Sequence, residues 1–150
     1  MTHRFKTRLE QALERCNYDA LLELIPYAKL IGVECTRSGE ELLFRLPANK
    51  DNIGNPILPA LHGGVIAGFM ELSAALHLLV STGAPGLPKI IDFSLDYLRA
   101  GQFRDTYATC QVCRQGRRVA NVAITAWQTT PTEPIATARA HFKIEPLPRP

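Results

Sequence analysis

LHGGVIAGFMELSAALHLLV, residues 61–80, is the stretch whose reading decides the fold. His62-Gly63-Gly64 opens the longest helical candidate in the chain, running to about residue 80. Val65, Ile66, Phe69, Met70, Leu72, Leu76, Leu78 and Leu79 make it apolar nearly all round, with Ala67, Gly68, Ser73, Ala74 and Ala75 interspersed. A helix apolar on every side is expected to be buried on every side. Glu71 and His77 interrupt the apolar run, which argues for a core helix rather than a membrane span. Ser81, Gly83, Pro85, Gly86 and Pro88 supply the stop.

Outward from this helix the periodicity changes to that of strands. Downstream, KIIDFSLDYLRA (89–100) sets Ile91, Phe93, Leu95 and Tyr97 on one face and Asp92, Ser94 and Asp96 on the other. DTYATCQVCRQ (105–115) and RVANVAITAWQ (118–128) flank Gly116 as a hairpin, and a turn at 130–134 leads into IATARAHFKI (135–144). Upstream, residues 49–59 hold the breakers Gly54, Pro56 and Pro59, a loop of the kind that often carries function. Before it, KLIGVECT (29–36) and ELLFRLPA (41–48) read as strands joined at Ser38-Gly39-Glu40. Residues 1–25 are helical: Phe5, Leu9, Ala12, Leu13 and Cys16 form one apolar stripe, and a second short helix over 19–24 ends before Pro26. The tail, 146–150, is expected to be frayed. The order predicts one α+β domain over 1–150, an antiparallel sheet wrapped around one central apolar helix. Alternating βαβ units are missing, which disfavours a doubly wound sheet.

Bulk properties narrow the function class. The chain has 150 residues, 46% hydrophobic and 21% charged, with a net charge of +3, too mild for a dedicated nucleic-acid binder. MTHRFKTRLEQALERC has no apolar core of the secretory kind, so the cytoplasm is the expected compartment. The cysteines are Cys16, Cys35, Cys110 and Cys113. CQVC looks like a metal or redox motif, but it lies in a strand-like run, where residues three apart point to opposite faces. No second pair at ligand spacing accompanies it, so buried free thiols and no metal are expected.

With these elements in place, LHGGVIAGFMELSAALHLL resembles the hotdog-fold acyl-CoA thioesterase superfamily, of the phenylacetic-acid-pathway and 4-hydroxybenzoyl-CoA thioesterase type. The signature is His-Gly-Gly opening the central helix with an acidic residue nine positions after the histidine, here His62 and Glu71. IDFSLDYLRAG and RQGRRVANVAIT look like the same family's sheet, and the likeness spans roughly residues 26–145. The resemblance implies a hotdog fold and three roles. The Gly63 N–H polarises a thioester carbonyl, Glu71 acts as nucleophile or general base, and His62 belongs to the structure of the turn. Two positions depart from the pattern. Relatives carry Gln or Asn six residues before the histidine, where this chain has Pro56, so Asn55 is the candidate and Asn52 the alternative. Relatives also place Ser or Thr four residues after the acid to hold the attacking water. Here that position is Ala75, while Ser73 points elsewhere on the helix.

The chemistry stands without the family. A thioester under attack becomes an oxyanion, and a helix N-terminus offers unpaired N–H groups and a favourable dipole. Glycines at 63 and 64 let a ligand approach the backbone, with Gly64 and His62 as substrate contacts. Glu71 is the one acidic residue between Gly63 and Ser81, and its apolar surroundings penalise its charge unless hydrogen bonds hold it. Eight residues of helix separate Gly63 from Glu71, about 12 Å along the axis, so donor and carboxylate of one helix do not meet on one carbonyl. Two central helices laid antiparallel bring them together, which predicts composite sites in a homodimer or dimer of dimers. Taken alone, His-Gly-Gly is a turn, His77 a core or interface histidine, and Asp92 and Asp96 a solvated face. Arg114, Arg117 and Arg118 surround a hairpin tip, ordinarily solvated. Coenzyme A phosphates need cations, however, and Arg99, Arg117 and Arg118 are the candidates. The expected partners are an acyl-CoA substrate and further copies of the chain, with no cofactor, nucleic acid or membrane. Two other readings remain. One is a non-catalytic acyl-CoA or fatty-acyl binding protein, favoured by Ala75; the other is an enoyl-thioester hydratase, a role that His62 within His-Gly-Gly suits poorly.

Overall fold

A computed structural model describes residues 3–145; the tail 146–150, expected to be frayed, lies outside the described residues. Helix α1 (His3–Glu14) buries Leu9 and Ala12. Cys16, read as part of its stripe, instead leaves the helix at φ 49. Cys16 N–H reaches Leu13 O at 3.0 Å and Asn17 N–H reaches Ala12 O at 2.9 Å, a Schellman closure with cysteine where glycine is usual. Asn17 then caps α2 (Tyr18–Glu23) through its side chain.

Pro26 does not end the helical region as expected; it opens α3 (Pro26–Ile31). Its fixed φ and missing N–H suit the first helical position. Lys29 to Ile31 are therefore helical, and Gly32, at φ 83, provides the left-handed stop before β1 (Glu34–Ser38). A two-residue turn, Gly39-Glu40, with Gly39 at φ 62, joins β1 to β2 (Glu41–Leu46). The 49–59 loop contains a 3-10 turn at Lys50–Asn52 and β3 (Ile53–Asn55), which pairs with β4 (Ala60–Leu61).

Next come α4 (Gly63–Thr82), β5 (Lys89–Tyr97), β6 (Thr106–Gln115), β7 (Val119–Trp127) and β8 (Ala136–Lys143). The main sheet runs β1-β2-β6-β7-β8-β5, and each adjacent pair is antiparallel. Alanines at 108, 120, 126, 136, 138 and 140 are buried, so the sheet presents little bulk and α4 settles close to it. Phe69, Met70, Leu78 and Leu79 of α4 fill the remaining core. By length and hydropathy α4 also matches a membrane-crossing helix, but here it packs against β2 and β5 to β8. It continues past residue 80: the Ser81 and Thr82 hydroxyls bond back to Leu78 O, and Gly83 at φ 61 forms the cap.

Three expectations need correction. The central helix is not buried all round: Gly64 is exposed and Gly68, Glu71 and Ala75 are half-buried, because the sheet wraps only part of the helix. In β5, Phe93 and Leu95 are half-buried, whereas Ile91 and Tyr97 are exposed, since β5 is the open edge of the sheet and its pairing shifts between Ile90 and Asp92. The thiols also divide. Cys35 is buried, and burial followed by the charge of Asp19 pushes it up to about 12; burial raises the half-buried Cys110 as well. Cys16 and Cys113 are exposed.

His77 has a buried Nδ1 with no partner among the described residues, and burial pushes its imidazole below the ordinary value. The unfolded chain binds a proton that the folded state resists. Folding stability linked to His77 is thus present above pH 6.5 and declines as pH falls below it. Denaturant unfolding between pH 8 and pH 5 is expected to show this decline, and His77→Leu is expected to flatten it.

Candidate active site

The start of α4 leaves one backbone donor uncommitted. His62, in extended backbone at φ −64 and ψ 129, precedes the helix, and its Nδ1 accepts the Gly64 N–H at 2.9 Å. The His62 carbonyl accepts both Val65 N–H at 3.0 Å and Ile66 N–H at 3.2 Å. Gly63 N–H therefore stands alone, without a hydrogen-bond acceptor among the described residues. At a helix N-terminus such a donor favours a ligand oxygen carrying negative charge.

Long-range contacts fix this turn. The Tyr97 hydroxyl donates to Gly63 O at 2.6 Å, His62 N–H to Asn52 O at 2.9 Å, and Leu61 N–H to Gly101 O at 2.8 Å. Asn52 is itself buried, and its Nδ2 donates to Ile31 O at 3.0 Å, tying the turn to the end of α3. Gly54 in β3 lies against the back of the turn, where a Cβ would come within 2.7 Å of His62 Cα. Neither the bond from Tyr97 to the turn nor the place of Gly54 behind it could be read from the sequence. Tyr97 fitted an apolar alternation, and a contact spanning 34 residues leaves no local signal.

Glu71 lies eight residues further along the same helix, about 12 Å from Gly63 along the axis. Spacings of four, three and four put Gly64, Gly68, Glu71 and Ala75 on one stripe, the part of α4 that the sheet leaves open. Glu71 forms no ion pair or hydrogen bond among the described residues. Ser73 is turned away: its hydroxyl donates to Phe69 O at 2.7 Å inside the core.

The other candidates are dispersed. Asn55 holds the exposed tip of its loop, its Oδ1 accepting the Ile57 N–H at 3.0 Å and the Leu58 N–H at 3.4 Å. Arg99, just beyond the Tyr97 end of β5, donates to Pro134 O at 2.8 Å. Arg117 and Arg118 are exposed in the β6–β7 turn, beside Val119, whose strand partner Lys143 pairs in turn with Lys89 at the start of β5. Tyr97, by contrast, lies across from Ala136 and Ala126 at the other end. Eight residues of strand separate Arg118 from Ala126, about 26 Å, so one protomer does not bring this arginine pair to its own Gly63 turn.

Gly54→Ala tests how tightly the turn is held. The clash is with backbone, which no rotamer change relieves, so β3 or His62 must shift. A loss of about 1 kcal/mol or more in denaturant unfolding is expected, since the shift disturbs the helix cap. Gly39→Ala, with open space around its Cβ, provides a control for left-handed strain alone.

Comparison with known proteins agrees with this architecture. The thioesterase superfamily matches residues 58–135, just over half of the chain, and that span includes the turn, α4 and β5 to β7. A solved structure from Chromobacterium violaceum is 41% identical, with a TM-score of 0.77 over 93% of this chain and 96% of that one. A phenylacetic acid degradation-related protein of Ralstonia eutropha shares the fold at 19% identity, with a TM-score of 0.72 over 84% of this chain and 98% of that one. So does a Bacillus halodurans protein crystallised with CoA, at 19% identity and a TM-score of 0.68 over 83% of this chain and 80% of that one. No curated protein gives a significant match. Just over half of the chain matched by the family, together with a relative aligned over nearly its whole length, identifies this hotdog-fold chain as a member of the thioesterase superfamily.

Proposed function

We propose that this chain hydrolyses the thioester of an acyl-CoA at composite sites formed between two copies. Membership of the thioesterase superfamily supports thioester hydrolysis in general. The observation that carries the specific reading is the uncommitted Gly63 N–H at the start of α4. A thioester oxygen placed there accepts that N–H, and the helix dipole favours the charge it gains during attack. Glu71 from the second copy supplies the carboxylate, either taking a proton from water or attacking the carbonyl itself. The C–S bond then breaks and the departing thiolate takes up a proton. Asn55 is a second candidate donor to the same oxygen, through its NH2 group, because its carbonyl is already held by the loop.

The two open edges of the sheet differ in a way that favours pairing through β5. On β1 the exposed residues are Glu34, Thr36, Arg37 and Ser38, none of them large and apolar. β5 also carries exposed charge, at Lys89, Asp92 and Asp96, but unlike β1 it exposes the large apolar side chains Ile90, Ile91 and Tyr97. Antiparallel β5–β5 pairing about a twofold axis continues the sheet and lays the two open α4 stripes against each other. It also carries the β6–β7 turn of one copy, with Arg117 and Arg118, towards the Gly63 end of the other. There the pair suits the phosphates of coenzyme A, and the Bacillus halodurans relative with CoA is a precedent for that ligand.

Thiol release from a panel of acyl-CoAs is expected for wild type, and Glu71→Gln is expected to lower kcat by about 100-fold or more. Wild type that binds acyl-CoA without releasing thiol would instead favour the binding-protein reading suggested by Ala75. Assembly is checked separately: Ile91→Arg is expected to give monomers by light scattering, with turnover lost in parallel. A fully active monomer would rule out the composite site.

A further inference from the structure

Ala75 leaves the proposed reaction without the hydroxyl that would hold its water, and the structure places another one nearby. Tyr27, on α3, lies across α4 at Gly68. A Cβ at Gly68 would come within 2.6 Å of Tyr27 Cε1 and 2.7 Å of its hydroxyl oxygen, so only glycine admits the ring at this depth. Gly68 is three residues before Glu71 on the open stripe, and side chains at that spacing are neighbours, with about 5–6 Å between Cβ positions. Side chains on a helix lean towards its N-terminus, so Glu71 leans over the turn that Tyr27 covers.

Both groups lack partners. The Tyr27 hydroxyl neither donates nor accepts a hydrogen bond among the described residues, and it is not bonded directly to Glu71. Tyr27 is 40% exposed, so solvent reaches it. A carboxylate and a phenol on neighbouring positions, neither bonded among the described residues and both reached by solvent, form a pair that one water can bridge.

We propose that the Tyr27 hydroxyl is the positioning group for the water that attacks in this reaction. The inference rests on Glu71 as the acting carboxylate. The water donates one proton towards Glu71 and accepts the Tyr27 O–H, which turns its remaining lone pair towards the carbonyl carbon. As the water oxygen bonds to that carbon, its proton passes to Glu71, the C–S bond breaks, and the sulfur leaves as thiolate, taking the proton from Glu71. If Glu71 attacks first, the thiolate departs as the anhydride forms; the same water then attacks the acyl carbon, the bond to Glu71 breaks to return its carboxylate, and the proton the water loses passes to the thiolate. In both routes Tyr27 keeps its own proton and does not exchange charge. Its hydroxyl thus stands on the N-terminal side of Glu71, whereas the hydroxyl lacking at 75 would stand on the C-terminal side.

The test is Tyr27→Phe, which keeps the ring and removes only the hydroxyl. The expected result is a fall in kcat of about 10- to 100-fold, with KM and the thermal midpoint little changed. Gly68→Ala, which drives the ring off the helix, is expected to give a similar fall. Ala75→Ser is expected to restore turnover several-fold in the Tyr27→Phe background and to add little to wild type. Wild-type kcat in Tyr27→Phe, a loss confined to KM, or no rescue by Ala75→Ser overturns the assignment. Glu71→Gln measured alongside separates the two levels: if it retains full turnover, the proposed function fails. If it is inactive while Tyr27→Phe is fully active, only the role of Tyr27 fails.

Discussion

The hydrogen bond from Gly64 N–H to His62 Nδ1 decides which backbone donor of α4 stays available. A helix begins with several N–H groups that have no partner inside it. Here the histidine ring takes one and the His62 carbonyl takes the next two, leaving only Gly63. Because Nδ1 accepts, the ring proton must sit on Nε2. The cap satisfies one of the orphan donors of the helix, but its larger consequence is geometric, since it orients the Gly63 peptide. Tyr97, bonded to the carbonyl of that residue, holds the same unit from the far end of β5. His62 thus shapes the site as a scaffold, and a Cβ at Gly64 would come within 3.0 Å of the ring nitrogen, so a larger residue there would push the ring from its place.

The alanine-rich inner face of the sheet has a second effect on the site. With Ala126, Ala136, Ala138 and Ala140 fully or almost fully buried, the large side chains of the core come mainly from the helix and from β2, β7 and the end of β8. The sheet thereby grips one side of α4 closely and does not close around the other. What stays open is the row Gly64, Gly68, Glu71 and Ala75, small residues apart from one carboxylate. A glutamate on a core helix would be a costly burial. On this row it is half-buried instead, at a surface where a ligand or another subunit can arrive. The open row and the exposed Ile90, Ile91 and Tyr97 of β5 belong to neighbouring elements, so a single partner can cover both.

Much of this could be read from the sequence, for physical reasons that also explain what could not. The central helix, the following strands and the His62–Glu71 spacing were legible because each depends on local periodicity. Pro26 misled because proline ends one helix and begins another equally well, and no residue beside it distinguishes the two uses. The breaker-rich loop concealed β3 and β4, too short for any alternation to register. Cys113 was expected to be buried, but the ladder shifts between Val112 and Arg114 and this residue is exposed. The contacts that Tyr27 and Tyr97 make were beyond sequence reasoning. Each tyrosine acts through a contact with the central helix, from α3 and from β5, and neither contact has a signature at its own position.

Two separations along regular elements bear independently on how the site is assembled. Along α4, helical rise puts Gly63 and Glu71 about 12 Å apart. Along β7, strand rise puts the arginine turn about 26 Å from the end of the sheet that holds Gly63. Neither can be shortened by side-chain motion, because the elements are hydrogen-bonded ladders packed in the core. One protomer therefore offers a donor, a carboxylate and an arginine-bearing turn that it cannot bring to one ligand by itself. A twofold axis beside β5 resolves both separations in a single operation, since it reverses the direction of the helix and of the sheet together. Two unrelated distances satisfied by one symmetry element support the dimer more strongly than either would alone. They also tie the proposed activity to subunit concentration, because below the dissociation constant each copy keeps half of two sites and the whole of none.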